Sequence, residues 1–169
     1  MSSENLIGMW KETRSGLIQE TERIPEEQFG FRATPETRSI VELLQHIIEA
    51  QKFLVGETCR QHSNLMRQPF PDHIKEYAAG VSDVNDKAGL LELLRGSMDV
   101  GEATIRSYAD KLDEPMQRLD GKHTTKLAFL QFAMSHEMYH RGQLTVYERL
   151  LNIEPALTER FRHLFAKAG

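Results

Sequence analysis

The stretch TTKLAFLQFAMSHEMYHRGQLTVYERLL, residues 124–151, decides the fold of this chain. At 100° per residue, a helix over this stretch gathers nine residues on one face about 120° wide. They are Phe129, Phe132, Ala133, His136, His140, Leu144, Tyr147, Leu150 and Leu151. Polar and other residues fall outside it: Lys126, Leu130, Glu137, Arg141 and Glu148. The pattern predicts a long amphipathic helix that turns this face, with its two histidines, toward the core.

Three further long segments have helical periodicity, and none in the chain has the alternation of a strand. The predicted helices span residues 4–21, 34–60 and 86–112, with a shorter one over 156–167. Thr34, Pro35 and Glu36 form a typical helix start, with an N-cap residue, a proline at the first position and an early acid. Residues 61–85 are expected to be an irregular connection. The sequence therefore predicts one all-α domain over residues 1–169, a four-helix bundle with long inter-helix links and a short C-terminal helix.

The composition excludes several classes of protein. With 40% hydrophobic and 27% charged residues, the chain has the balance of a globular protein rather than a disordered one. Its net charge of −4, without a basic stripe, gives no reason to expect a nucleic-acid partner. No segment predicts a signal peptide or a membrane span, and the single cysteine, Cys59, suits a reducing compartment. A cytoplasmic protein without a membrane partner is expected.

His136 and His140 lie one helical turn apart in the middle of the apolar face. A buried imidazole must satisfy both ring nitrogens, because an unpaired buried polar group costs about 1–3 kcal/mol. Two imidazoles at this spacing can bind one divalent ion at about 2.0–2.1 Å. The alternative is a pair of core histidines bonded to carbonyl groups or buried carboxylates. The central position of both residues favours the metal site.

A third ligand has to come from another helix. His46 lies at the edge of the apolar face of the second helix, where periodicity alone also allows a partly exposed histidine without a ligand role. His62, Cys59 and His123 lie too far along their helices to join the site. His73 and His163 are expected at the surface.

Residues 136–140 also match H-E-x-x-H, the pattern of zinc peptidases in which the glutamate is the general base. Only 29 residues follow His140, and no neighbouring strand is predicted for substrate binding. Glu137 also lies four residues before Arg141, the spacing of a helix ion pair. The peptidase is therefore the remotest of the alternatives.

The longer run His136-Glu137-Met138-Tyr139-His140-Arg141-Gly142-Gln143-Leu144 resembles the H-x-x-x-H-R-G-Q-[LI] signature of the DinB-like (DinB/YfiT) superfamily. Residues 39–47, SIVELLQHI, are similar to the upstream ligand helix of that family. The resemblance extends over the order of all four helices. It implies an up-down-down-up bundle, a metal site on His46, His136 and His140, and a homodimer.

Three histidines leave at least one coordination position open, as in catalytic metal sites. The DinB-like relatives include thiol S-transferases and isomerases that use low-molecular-weight thiols such as bacillithiol or mycothiol. The resemblance thus implies a metal-dependent hydrolase or thiol S-transferase that acts on a small molecule. The ion is expected to be Zn or Ni, with Fe and Mn as alternatives. Glu137 and Gln143 are candidate catalytic residues. A non-enzymatic metal-binding stress-response protein is the main alternative.

Overall fold

Four long helices dominate the computed structural model, which describes residues 2–168. The elements in chain order are α1 (Ser3–Arg23), α2 (Ile40–Thr58), α3 (Phe70–Ala78), α4 (Lys87–Ser107), β1 (Pro115–Gln117), β2 (His123–Thr125), α5 (Lys126–Leu150) and α6 (Ala156–Ala168). The predicted four-helix bundle and the short C-terminal helix are confirmed. None of the described helices combines the length and apolarity needed to cross a membrane.

The directions of the long helices follow from the residues that contact each other. α1 runs antiparallel to α4, since Glu22 pairs with Arg95 whereas Lys11, half the helix earlier, pairs with Glu102. α2 runs antiparallel to α5, because the Tyr147 hydroxyl donates to the carbonyl of Arg38, just before α2, and His46 contacts the earlier His140. α1 and α5 run parallel.

These directions give the up-down-down-up order that the family resemblance implied. Each long helix packs against two others, in the ring α1, α4, α2, α5. α5 therefore contacts α2 on one flank and α1 on the other. Its buried surface is wider than the single face predicted from periodicity.

The predicted start of the second helix was wrong. Thr34 and Thr37 form a turn, in which the Thr37 hydroxyl donates to the carbonyl of Thr34. The helix begins at Ile40, after a capping box in which the Ser39 and Glu42 side chains each accept a hydrogen bond from the other residue's backbone N–H. A reciprocal cap satisfies two free N–H groups and outweighs the proline signal five residues earlier.

The connection expected over residues 61–85 was also wrong in part, because it contains α3. Pro71 occupies the second position of α3, where a proline is tolerated because no intrahelical acceptor exists for its missing N–H. The third predicted helix extended too far, since α4 ends at Ser107. Between α4 and α5, β1 and β2 form a two-stranded antiparallel hairpin that the sequence did not predict.

Candidate metal centre

The antiparallel contact between α2 and α5 brings the three predicted histidines together. His46 points from α2 toward α5, where His136 and His140 lie one turn apart. One ring nitrogen from each histidine lies within 4.8 Å of the other two. Among the described residues, no other group of three or more histidine, cysteine or acidic side chains converges in this way.

The distances between these nitrogens fit a shared ion. The Nε2 atom of His140 lies 3.2 Å from Nε2 of His46 and 3.2 Å from Nε2 of His136. Two nitrogens bound at 2.0–2.1 Å to one tetrahedral ion are about 3.3–3.4 Å apart. The three side chains can therefore hold a divalent ion with little movement.

A hydrogen-bond chain fixes the tautomer of His140. The Tyr147 hydroxyl donates to the carbonyl of Arg38 at 3.0 Å, so it accepts from the Gln143 amide N–H at 3.3 Å. This leaves the Gln143 carbonyl oxygen to accept from Nδ1 of His140 at 3.1 Å. Nδ1 therefore carries the proton, and Nε2 presents a lone pair to the other two histidines. Such orienting partners are typical of metal-binding histidines.

Hydrogen bonding between the rings does not satisfy the cluster. The Nε2 lone pair of His140 faces two neighbouring nitrogens, and it can accept a full hydrogen bond from only one of them. A cation at the centre satisfies all three lone pairs at once. The donor set therefore fits a metal ion better than it fits a packed core.

The surroundings keep the three imidazoles neutral, as metal binding requires. Burial, followed by the positive charge of Arg38, lowers the pKa of His46 to about 4. Burial also lowers the pKa values of His136 and His140, and Arg38 contributes to both effects. Arg38 was missed at the sequence level, because a single arginine before a helix carries no signal of its position relative to α5.

The site is open to solvent on one side. His140 is buried, but His46 and His136 are only half-buried. The aromatic residues beside them leave the cluster uncovered: Phe132 is 54% exposed and Tyr139 is 72% exposed. A small molecule can therefore reach the position that three histidine ligands leave free.

Glu137 faces the opposite side of α5, where it forms a group that we call the Arg14 clasp: Trp10, Arg14, Leu94, Ser97 and Glu137. Arg14 donates to both carboxylate oxygens of Glu137, at 2.6 and 2.7 Å, and Trp10 donates to one of them at 2.9 Å. Arg14 also donates to the carbonyl of Leu94 at 2.6 Å and to the hydroxyl of Ser97 at 2.9 Å.

The clasp corrects two expectations about Glu137. The predicted ion pair with Arg141 was wrong, because Glu137 pairs with Arg14 and Arg141 pairs with Glu20 of α1. Glu137 was also placed outside the buried face, whereas its side chain is 2% exposed. Both carboxylate oxygens are engaged by donors on α1. This geometry argues against a general base aimed at a metal-bound ligand and against the zinc-peptidase alternative.

Other residues of α5 depart from the predicted face for the same reason. Phe132 and Leu150 were expected inside but are more than half exposed. Lys126, Leu130 and Glu148 were expected outside but are fully buried. The second flank, against α1 and the hairpin, accounts for the difference.

The remaining histidines do not join the cluster. His73 was expected at the surface, but it is fully buried, with Nε2 3.1 Å from the carbonyl of Leu65 and Nδ1 3.6 Å from the Glu57 carboxylate. It stabilises the segment that carries α3. His163 is exposed, as predicted.

Solved structures with the same fold support this description. A DinB-like protein, YjoA, from Bacillus subtilis is 19% identical, with a TM-score of 0.68 over 88% of this chain and 92% of that one. YfiT from Bacillus subtilis, described as a probable metal-dependent hydrolase with an unusual four-helix bundle topology, is 16% identical, with a TM-score of 0.69 over 90% of this chain and 89% of that one. The mycothiol-dependent maleylpyruvate isomerase is 14% identical, with a TM-score of 0.67 over 85% of this chain and 61% of that one.

No curated protein sequence matches the chain. A family model does, over residues 9–144, which include all four long helices in whole or in large part and the three clustered histidines. Fold, histidine cluster and family match together establish that this chain belongs to the DinB superfamily.

Proposed function

We propose that this protein is a metal-dependent enzyme, a hydrolase or thiol S-transferase, that acts on a small molecule at His46, His136 and His140. The observation that carries the proposal is the convergence of three histidines on a solvent-open side of the bundle, where Nε2 of His140 lies 3.2 Å from Nε2 of His46 and 3.2 Å from Nε2 of His136. An all-imidazole donor set favours Zn or Ni over Fe and over Mn. An ion bound there supplies Lewis acidity to an oxygen or sulfur ligand at its open position.

Residues of this chain prepare the site for such a ligand. Gln143 holds the His140 ring in one orientation and one tautomer. Burial keeps the imidazoles neutral, so no proton has to leave before the ion binds. Half-exposed His46 and His136 leave an approach from solvent. We assign Gln143 a positioning role, and we place Glu137 in the scaffold rather than in the reaction.

The thiol S-transferase and the hydrolase are both supported by relatives of the same fold. One is mycothiol-dependent and another is described as a probable metal-dependent hydrolase. A thiolate is a good ligand for Zn or Ni, and three neutral histidines leave the charge of the ion uncompensated for an anion. A low-molecular-weight thiol is therefore our first candidate for a cosubstrate, and the cytoplasm our expected location.

The test begins with protein purified without a nickel resin. We expect about one Zn or Ni per chain by elemental analysis, and turnover when thiols are screened with small electrophiles and esters. His136→Ala should lose both the metal and the turnover, whereas His163→Ala, which removes an exposed histidine of α6, should keep both.

Two outcomes contradict parts of the proposal. Full metal retention in His136→Ala would remove that residue from the ligand set. Metal binding by the wild type without turnover of any tested substrate would favour the metal-binding stress-response protein.

We also propose that the protein forms a homodimer. α6 supports this, because Leu157, Phe161, Leu164 and Phe165 lie at helical spacing and are all at least 40% exposed. Light scattering coupled to gel filtration measures the mass directly, and a mass of one chain at 50 μM would contradict it.

A further inference from the structure

An open cavity of about 540 Å³ adjoins the histidine cluster and is lined by charged side chains. Its wall consists of Arg32, Glu36, Thr37, Arg38, Glu42 and Gln143. Gln143 connects the cavity to the site, because it hydrogen-bonds the ring of His140. Glu42 lies one turn before His46 on α2. The cavity therefore shares Gln143 with the candidate metal site and opens on the Nδ1 side of His140.

The two arginines of the wall differ in what balances their charge. Arg32 donates to the Glu42 carboxylate at 2.5 Å and to the carbonyl of Thr37 at 2.7 Å. Arg38 makes no ion pair within residues 2–168, and its side chain is exposed. The Arg38 backbone is held in place, because its carbonyl accepts from the buried Tyr147. Arg38 is thus an anchored cation with a free guanidinium group.

The field of Arg38 reaches the histidines. It contributes to the lowered pKa of each of the three, whereas the acids of the same wall, Glu36 and Glu42, are not among the causes of those shifts. Glu137, on the other flank of α5, opposes it at His136 alone. Of the charged side chains that line the cavity, Arg38 is therefore the one that acts on all three histidines, and it also acts on Glu49 of α2.

We propose that Arg38 binds the carboxylate of the substrate or cosubstrate whose other end occupies the open metal position. This inference rests on the proposed function and adds the substrate class, a small carboxylate-bearing molecule. Guanidinium groups pair with carboxylates through two parallel hydrogen bonds, and three neutral ligands leave the ion with its full positive charge. The positive charges of Arg38 and of the bound ion both favour an anion, and a cavity of about 540 Å³ can hold a small one.

The test uses the Co²⁺-loaded protein and measures binding through the thiolate-to-cobalt absorption in the near ultraviolet. The probes are 2-mercaptoethanol, which is neutral, and mercaptoacetate, 3-mercaptopropionate and 4-mercaptobutyrate, which carry a carboxylate at increasing distance. For each probe the ratio of its Kd to that of 2-mercaptoethanol is compared between variants, so that differences in thiol pKa cancel.

We expect Arg38→Gln to weaken the binding of the best carboxylate probe about five- to tenfold relative to that of 2-mercaptoethanol. This is the effect expected from the loss of one partly solvated charge pair. Arg38→Lys should keep part of the preference for carboxylate-bearing thiols, because lysine keeps the positive charge but lacks the paired N–H donors of a guanidinium group. Arg32→Gln is the matched control. It removes the same charge from the same cavity, and it should cost less than half as much as Arg38→Gln.

Equal ratios in the wild type and Arg38→Gln for all three carboxylate probes would overturn the proposal. So would equal losses in Arg32→Gln and Arg38→Gln, since that result shows a general field rather than a contact. Failure of the wild type to bind Co²⁺ contradicts the proposed function instead. Circular dichroism establishes that each variant is folded.

A second arm locates the carboxylate. Propionate is added to the protein with 2-mercaptoethanol already bound. Tighter binding of 2-mercaptoethanol, lost in Arg38→Gln, supports the proposal and assigns the carboxylate to a separate electrophilic substrate. A preference seen only when thiol and carboxylate share one molecule also supports it, and assigns the carboxylate to the thiol cosubstrate.

Discussion

His136 and Glu137 are consecutive residues of α5, but they belong to polar clusters of opposite character. Glu137 lies in the Arg14 clasp, where each carboxylate oxygen has a donor and the opposite charge is in contact. His136 lies in a cluster of three like groups, in which lone pairs converge and no counter-charge is present. The first cluster is complete within the protein. The second would be completed by the metal ion that we propose.

Buried polar side chains have two different roles in this bundle. The clasp joins α1, α4 and α5 through one arginine and fixes the rotation of α5 about its axis. Since successive residues on a helix differ by 100°, fixing Glu137 toward α1 also directs His136 toward α2. The satisfied polar groups of the clasp stabilise the scaffold, whereas the histidine cluster forms the site that we propose binds a metal ion.

The largest effect is expected from Glu137→Gln, which leaves the charge of Arg14 buried without a counter-charge. Breaking one partner of a buried pair costs about 3–5 kcal/mol, so the free energy of unfolding should fall by that amount in denaturant titrations. Metal affinity of the folded variant should change little, because the amide oxygen of the new side chain can still accept from Arg14 and hold the rotation of α5.

The control is the double variant Arg14→Met with Glu137→Leu, which removes both charges together. It should be less destabilised than Glu137→Gln, since apolar replacement of a whole buried pair is often close to neutral. A loss of less than about 1 kcal/mol in Glu137→Gln would show that the clasp is not a stabilising element.

Glu148 is a buried acid of α5 that differs from Glu137. Its carboxylate accepts no hydrogen bond from a donor in the described residues. Burial, and then the carboxylate of Glu20, raises the pKa of Glu148 to about 8. Since the folded-state pKa lies above the unfolded one, the protonated acid favours the native state at low pH. This contribution is complete below about pH 4.5 and is lost as pH rises through 8.

Glu148→Gln should therefore be more stable than the wild type above pH 8, by about 1–3 kcal/mol, and the difference should vanish toward pH 5. Thermal melts across this pH range measure it. Glu12→Gln, which changes an exposed acid of α1, serves as the control and should leave the pH profile unaltered. A constant difference between Glu148→Gln and the wild type at all pH values would contradict the raised pKa.

The most local effect, on metal affinity rather than on folding, is expected from Gln143→Leu, which removes the acceptor for Nδ1 of His140 without touching a ligand nitrogen. Loss of such an orienting partner typically weakens metal affinity about 10- to 100-fold. Competition titrations with a chelator measure this, and Gln131→Leu, on an earlier turn of α5, is the comparison. Gln143→Glu should retain much of the affinity, because a carboxylate also accepts from Nδ1. Unchanged affinity in Gln143→Leu would mean that His140 is oriented by packing alone.

The long helices were predictable because their apolar residues repeat with helical period over several turns. Local sequence signals for a helix start gave the wrong residue where two of them lie close together, as before α2. The residues Thr34 and Pro35 predict a helix start, whereas the Ser39 and Glu42 pair forms the real cap. α3 and the hairpin were missed because nine residues with an early proline, or strands of three residues, are too short to show a period.

The histidine pair of α5 was predictable from spacing, because i and i+4 share a face. Arg14 and Arg38 were not, since their roles depend on which helices pack against α5 and in which direction. The burial of Glu137 was predicted wrongly for the same reason. α5 is buried on two flanks, and the spacing of its apolar residues indicates only one of them.

The capping box at Ser39 and Glu42 has a consequence for how chemistry can diversify on this bundle. It ends the turn that carries Arg38 and begins the helix that carries His46. Arg38, which we propose selects the ligand, therefore lies two positions before the first residue of α2, whereas His46, which we propose holds the ion, lies inside that helix. Substitutions in the preceding turn can change which molecules enter while the ion stays where it is, so substrate preference and metal preference are free to evolve separately.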